Sequence, residues 1–201
     1  MIGGCGLGWL HKIKPMEAYM SKSALVIVDV QNDYFPGGAW ELKGQVEAAQ
    51  NVKRLLEDSR SKNTPIIHIQ HVVEAGDAPF FNKGTEGVKI HETVLPQDGE
   101  PLVVKQFANS FLETNLKEVL DEQGIEHLVV VGSMSHNCID ATVRGAVDLG
   151  YTATIIDDAC ATLDMEHNGE VIPAKYVHGA FMASLAFAYG KVITTDDYLA
   201  G

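Results

Sequence analysis

No stretch of this chain approaches the roughly 18 consecutive apolar residues that a membrane span needs. Cysteine is sparse and odd in number: Cys5, Cys138 and Cys160 are the only three in 201 residues. That excludes the dense disulfide framework of small secreted domains and fits a reducing, cytoplasmic compartment. Basic residues are few, 15 against 27 acidic ones, for a formal net charge of −12. Nucleic-acid affinity rests on clustered Lys and Arg, so neither a nucleic acid nor a membrane surface is an expected partner. Met1 to Lys14 lacks the charged head, long apolar stretch and small-residue cleavage site of a signal peptide. There is no internal repeat and no low-complexity tract. With 46% hydrophobic and 21% charged residues, the composition is that of a folded globular protein.

The length suits one domain. Residues 1–19 are expected to form an N-terminal extension outside the fold, with Met20 as an alternative start, and residues 20–201 to form the domain. Short continuous apolar runs recur between amphipathic stretches. The strand candidates are Leu25–Val28, Ile66–Ile69, Leu102–Val104, Leu128–Val131, Ala153–Ile156 and Val192–Ile193. They do not alternate apolar with polar, which predicts burial on both faces, as in a parallel sheet covered by helices. Between them, Ala48, Ala49, Val52, Leu55 and Leu56 form one helix face, ended by Asn63-Thr64-Pro65. Ser110 with Glu113 reads as a capping box opening a helix with Leu112, Leu116, Val119 and Leu120 inside, closed by Gly124. Ile139, Val143, Ala146 and Val147 make the next face, closed by Gly150. Pro173 opens a last helix, 174–189, rich in small residues. The expected fold is α/β: a single-domain, doubly wound, mostly parallel six-stranded sheet with helices on both faces. Residues 72–101, rich in Gly and Pro, read as a long functional loop.

Ligands of open α/β sheets bind outside the carboxyl ends of the strands. The polar residues expected there are Asp29, Gln70 and His71, Lys105, Ser133 to Cys138, Asp157 and Asp158, and Thr194 to Asp197. Cys138 falls where a helix should begin, and the partial positive charge and free N–H groups of a helix start stabilise a thiolate. Lys105 could supply a cation and Asp29 a base. Position alone leaves open a cysteine that fills a first-turn site and does no chemistry.

Three segments carry a resemblance. Gly132-Ser133-Met134-Ser135-His136-Asn137-Cys138-Ile139-Asp140-Ala141-Thr142-Val143-Arg144-Gly145-Ala146 resembles the nucleophile segment of the isochorismatase-like cysteine hydrolases. Leu25-Val26-Ile27-Val28-Asp29-Val30-Gln31-Asn32-Asp33-Tyr34-Phe35 resembles that family's first strand and its aspartate. Lys105 followed by Asn109-Ser110-Phe111 resembles its lysine and the start of the next helix. The likeness runs from about residue 24 to the C-terminus. It implies an Asp29–Lys105–Cys138 catalytic triad and a non-proline cis peptide between Ser133 and Met134. The backbone N–H groups of Met134 and Cys138 would then form an oxyanion hole. It also implies a homodimer or higher homo-oligomer acting on a small-molecule substrate.

The implied reaction is hydrolysis of a small amide or carbamoyl-type substrate through a Cys138 thioester, with no cofactor. An isochorismatase-type vinyl-ether hydrolase, using Asp29 as acid and no thiol, and a non-catalytic small-molecule-binding member of the fold are the alternatives. Gln31, Phe35, His71, Phe80 and Phe107, with Phe81, are candidates for pocket walls, although each aromatic also fits a plain core position. No metal is expected. His68 and His71 are three apart on a strand and point to opposite faces. The segment Val72-Val73-Glu74-Ala75-Gly76-Asp77-Ala78-Pro79 lacks the close Asp and His residues of the family's metal-binding nicotinamidase branch. Cys160 is expected to be a small buried thiol. Asp164, Glu166 and His167 read as a solvated loop, and Gly3-Gly4-Cys5-Gly6-Leu7-Gly8 follows no strand and is not a phosphate loop.

Overall fold

The structure is a computed structural model and describes residues 23–201. The expected N-terminal extension and the glycines at 3–8 lie outside the described residues. The chain runs β1 (Ser23–Val28), α1 (Gln45–Ser61), β2 (Ile66–His71), β3 (Leu102–Lys105), α2 (Leu116–Glu122), β4 (His127–Ser133), α3 (Asp140–Asp148) and β5 (Thr152–Ala161). A small pair, β6 (Met165–His167) and β7 (Glu170–Ile172), precedes α4 (Ala174–Ala188), β8 (Lys191–Ile193) and α5 (Thr195–Leu199). Six strands form one sheet in the order β3-β2-β1-β4-β5-β8, and every pairing in it is parallel. All six expected strands are present. Among the described residues, no helix is long and apolar enough to cross a membrane.

Period-two alternation decides which helix each strand residue meets. Leu25 and Ile27 of β1 pack with Ala49, Val52, Leu55 and Leu56 of α1 on one face. Ala24, Val26 and Val28 pack on the other face with Leu116 and Leu120 of α2, Val143 and Ala146 of α3, and Met182 and Leu185 of α4. Both faces are buried, which is why the strands read as unbroken apolar runs.

Three expectations change. The capping box is not formed: Glu113 sits at φ +55° and Leu112 is exposed, so the helix starts only after Asn115. Ser110 instead hydrogen-bonds Thr142 of α3, backbone N–H to Oγ1 at 3.1 Å and hydroxyl to hydroxyl at 2.8 Å. The acidic loop after β5 is a solvent-exposed antiparallel hairpin, β6–β7. The helix opened by Pro173 is followed by α5, whose N-cap is the Thr194 hydroxyl accepting from Asp197 N–H.

The sheet's order reverses between β1 and β4, so their carboxyl ends flank a crevice. Gly132 sets their approach. It has φ +117° and stands in register with Val28, and a Cβ there would lie 2.0 Å from the Val28 carbonyl oxygen. Both the torsion and the contact forbid any side chain. Gly132→Ala should therefore lower unfolding stability by about 3 kcal/mol or more. Equilibrium urea denaturation checks this, and a variant as stable as the parent would contradict it.

Candidate active site

Asp29 directly follows β1, Lys105 ends β3, and Cys138 lies beyond β4. All three stand at the carboxyl edge of the sheet, with the edge strand β3 separated from β1 by β2. Asp29 has φ +53°, a left-handed conformation that a non-glycine residue adopts only when its surroundings hold it. Its N–H donates to Ile69 O at 3.1 Å, and its carbonyl accepts from Gln31 N–H at 3.0 Å. The Lys105 ammonium lies 2.8 Å from Asp29 Oδ2, and both side chains are fully buried. It also donates to Ala108 O at 3.0 Å.

Cys138 is the fourth residue of a wide turn, Ser135–Ile139, that runs directly into α3. The turn is closed by Ile139 N–H donating to Met134 O at 3.1 Å. The Ser133–Met134 peptide is cis. Several polar contacts hold this segment. Ser133 Oγ donates to Gln45 Oε1 at 2.6 Å. Ser135 Oγ lies 3.0 Å from His178 Nδ1, whose Nε2 lies 2.8 Å from Asp157 Oδ1. Asn109 packs so closely on Gly145 of α3 that a Cβ there would come within 2.7 Å of its side chain. With the Ser110–Thr142 bonds, this fastens the strand-end segment carrying Lys105 to the helix carrying Cys138.

Cys138 is 1% exposed, its sulfur lies within 4.8 Å of an Asp29 carboxylate oxygen, and the charges of Asp29 and Lys105 both act on it. Burial pushes its thiol up to about 12, with the Asp29 carboxylate adding to the rise and Lys105 opposing it. Burial acts to lower Lys105, but the negative charge of Asp29 outweighs it, so the ammonium is held charged. The resting arrangement is thus a thiol beside a neutralised ion pair. Its proton is best treated as belonging to the whole cluster.

His71, in register with Lys105 across β2 and β3, also reaches the centre. A ring nitrogen of His71, a carboxylate oxygen of Asp29 and the Cys138 sulfur all lie within 4.8 Å of one another. Burial lowers the pKa of His71, so it is neutral near pH 7. A cation bound by these three would compete with the Lys105 ammonium for the Asp29 carboxylate. His68 points the other way, to Glu100 at 2.9 Å.

The remaining wall candidates divide. Gln31 is fully buried and its amide is engaged with backbone: Nε2 donates to Val88 O at 2.7 Å and His71 O at 2.9 Å, and Oε1 accepts from His71 N–H at 2.8 Å. It braces the end of β2 and the long loop. Phe35 stacks on His91, and the two border a surface depression away from Cys138. Phe80 and Phe81 pack around Tyr34, and Phe107 is largely exposed. Asp33 clasps the 72–101 loop, accepting from Phe81 N–H at 2.7 Å and Ala39 N–H at 3.2 Å. Cys160 is buried, and Asp158 accepts from the N–H and hydroxyl of Thr195 at 2.7 Å. Tyr34, which sequence reasoning did not single out, is fully buried and its hydroxyl has no hydrogen-bond partner among the described residues. The one signal for it was its place five residues after Asp29.

With this geometry in hand, comparison with known proteins is decisive: the model of the isochorismatase domain matches residues 23–197. The chain belongs to the isochorismatase family. It is 47% identical over 177 residues to the uncharacterized isochorismatase family protein YddQ of Bacillus subtilis, covering 88% of this chain and 98% of that one. It is 26% identical to the ureidoacrylate amidohydrolase RutB of Rhizobium rhizogenes, over 93% of this chain and 86% of that one. A crystal structure from Oleispira antarctica, assigned to the isochorismatase hydrolases, superposes with a TM-score of 0.88 at 46% identity, covering 90% of this chain and 98% of that one.

In this family member the ion pair is fully buried, so removing one partner strands the other. Lys105→Met leaves the Asp29 carboxylate buried without its counter-charge and should cost about 3–5 kcal/mol of stability. It also removes the cation that holds the thiol's pKa down, so alkylation of Cys138 at pH 8 should slow. Urea denaturation and mass-spectrometric labelling rates check the two effects separately.

Proposed function

We propose that this isochorismatase-family protein is a cysteine hydrolase that cleaves a small amide or carbamoyl-type substrate through a Cys138 thioester. The observation that carries the reading is a single buried sulfur within 4.8 Å of the carboxylate of a fully buried Asp29–Lys105 ion pair.

The raised thiol pKa rules out a resting population of free thiolate near neutrality, so the proton must move within the cluster. Transfer from Cys138 Sγ to Asp29 leaves the total charge unchanged, and the Lys105 ammonium then faces a thiolate in place of a carboxylate. The thiolate attacks the substrate carbonyl carbon. The oxyanion rests on the backbone N–H groups of Met134 and Cys138, where one such donor is worth about 3 kcal/mol in the transition state. Asp29 gives its proton to the departing nitrogen, the C–N bond breaks, and a thioester remains. Asp29, again a carboxylate, takes a proton from water, which attacks the thioester. The acid leaves, and the proton returns to Sγ.

The RutB relative, named for amide hydrolysis, favours C–N cleavage over vinyl-ether hydrolysis. A vinyl-ether hydrolase would use Asp29 as its acid and have no need of a sulfur held between two charges. The family resemblance also supports a homodimer or larger homo-oligomer.

Cys138→Ala should abolish ammonia release from a panel of primary amides, ureides and carbamoyl compounds while leaving thermal unfolding within a few degrees of the parent. Activity that survives in this variant would end the thioester mechanism. Because the thiol's pKa is raised, its labelling rate by iodoacetamide should fail to climb through the ordinary thiol range near 8.5–9. It should rise only toward pH 12.

A further inference from the structure

Acidic residues outnumber basic ones in this chain, 27 to 15, so a cation readily finds a carboxylate. The described arginines, Arg54, Arg60 and Arg144, are all ion-paired. Leaving Lys191 aside, every described lysine except Lys43 and Lys175 is ion-paired as well. These two exceptions lie far apart in the chain, yet both line one cavity of about 290 Å³. Lys43 comes from the loop before α1 and Lys175 from the first turn of α4. Cys160 and Ala161 at the end of β5, with Thr162, Ala174 and His178, form the other walls.

The walls are fixed by bonds of their own. Lys43 N–H donates to Thr162 O at 2.8 Å, and Thr162 Oγ1 lies 2.5 Å from His136 Nδ1. His178 is held at both ring nitrogens, by Ser135 and by Asp157. Asp164 Oδ1 accepts from Ala174 N–H at 2.7 Å. The two carboxylates bonded to the wall, Asp157 and Asp164, therefore serve His178 and the start of α4, and neither pairs with a lysine. The Lys175 ammonium lies 4.7 Å from the centre of the Tyr176 ring, a contact that leaves its N–H donors open to an anionic acceptor.

One unpaired surface lysine needs no explanation, because water solvates it well. Two at one cavity, in a molecule whose other cations are neutralised in pairs, create a local positive field against an acidic background. Concave walls concentrate that field on whatever enters. The small side chains of Ala161, Ala174 and Cys160 leave space between the two ammonium groups for a short molecule.

We propose that this cavity is a second binding site, separate from the Cys138 centre, for a small dianion held between Lys43 and Lys175. Its chemistry is that of two negative charges on oxygen, as a short dicarboxylate or a phosphate ester carries.

The test is isothermal titration calorimetry of the full-length protein at low ionic strength and pH 7, with malonate in one series and inorganic phosphate in the other. Saturable binding is expected. Lys43→Gln combined with Lys175→Gln should weaken it about tenfold or more. Lys53→Gln combined with Lys83→Gln removes the same charge from other exposed positions and should bind with the parent's affinity. Cys138→Ala should also bind as the parent does, which makes the result independent of the hydrolase reading. Tighter binding of malonate assigns a dicarboxylate, and tighter binding of phosphate assigns a phosphate ester. Failure of both anions to saturate overturns the proposal. Equal weakening in the two double variants overturns it too, since net charge alone would then be acting. Loss of binding in Cys138→Ala does the same, because the anion would then sit at the nucleophile.

Discussion

A fully buried ammonium and a fully buried carboxylate, 2.8 Å apart, sit at the centre of this molecule. Either charge alone would be very unfavourable in such a place, and together they are tolerable only if the backbone around them is held in position. Much of the surrounding structure does that holding. The left-handed Asp29 is anchored to Ile69, Lys105 is anchored to Ala108, and Gly132 lets β1 and β4 close to a distance that no other residue permits. The pair then provides a setting in which a third group, the Cys138 thiol, can exchange its proton without any change in total charge.

That setting also reconciles two facts that pull in opposite directions. Burial raises the thiol's pKa, which is the wrong direction for a nucleophile considered by itself. Within the cluster, the relevant equilibrium is the position of one proton between sulfur and carboxylate, and Lys105 stabilises either negative partner. Burial also strengthens every electrostatic interaction made at the reacting carbon. The polar contacts of Ser133 and Ser135, through Gln45, His178 and Asp157, hold the segment that carries the sulfur.

Much of this was legible in the sequence. The six strands were readable because a strand covered on both faces must be apolar at every position, and Leu25–Val28 and Leu128–Val131 are. Asp29, Lys105 and Cys138 could be named because each follows such a run and each lies in a segment resembling the isochorismatase family. The failures have equally specific causes. Ser110 and Glu113 have the spacing of a capping box, but Ser110 is taken by Thr142, 32 residues away, and Glu113 adopts a left-handed torsion. Gln31 was named only as a candidate pocket wall. Its amide is engaged with backbone from β2 and from the long loop, contacts that no local pattern encodes.

Sequence by itself determined the layers of the fold, the strand ends where chemistry could sit and the identities of the three charged or nucleophilic groups. The layers and strand ends follow from hydrophobic periodicity, a local property, and the three groups were singled out by the resemblance to the isochorismatase-like family. Only the tertiary structure decided that the three groups meet and that the sulfur is buried beside an ion pair. Distance, burial and hydrogen-bond satisfaction depend on segments far apart in the chain packing together, and a linear order of residues does not contain them.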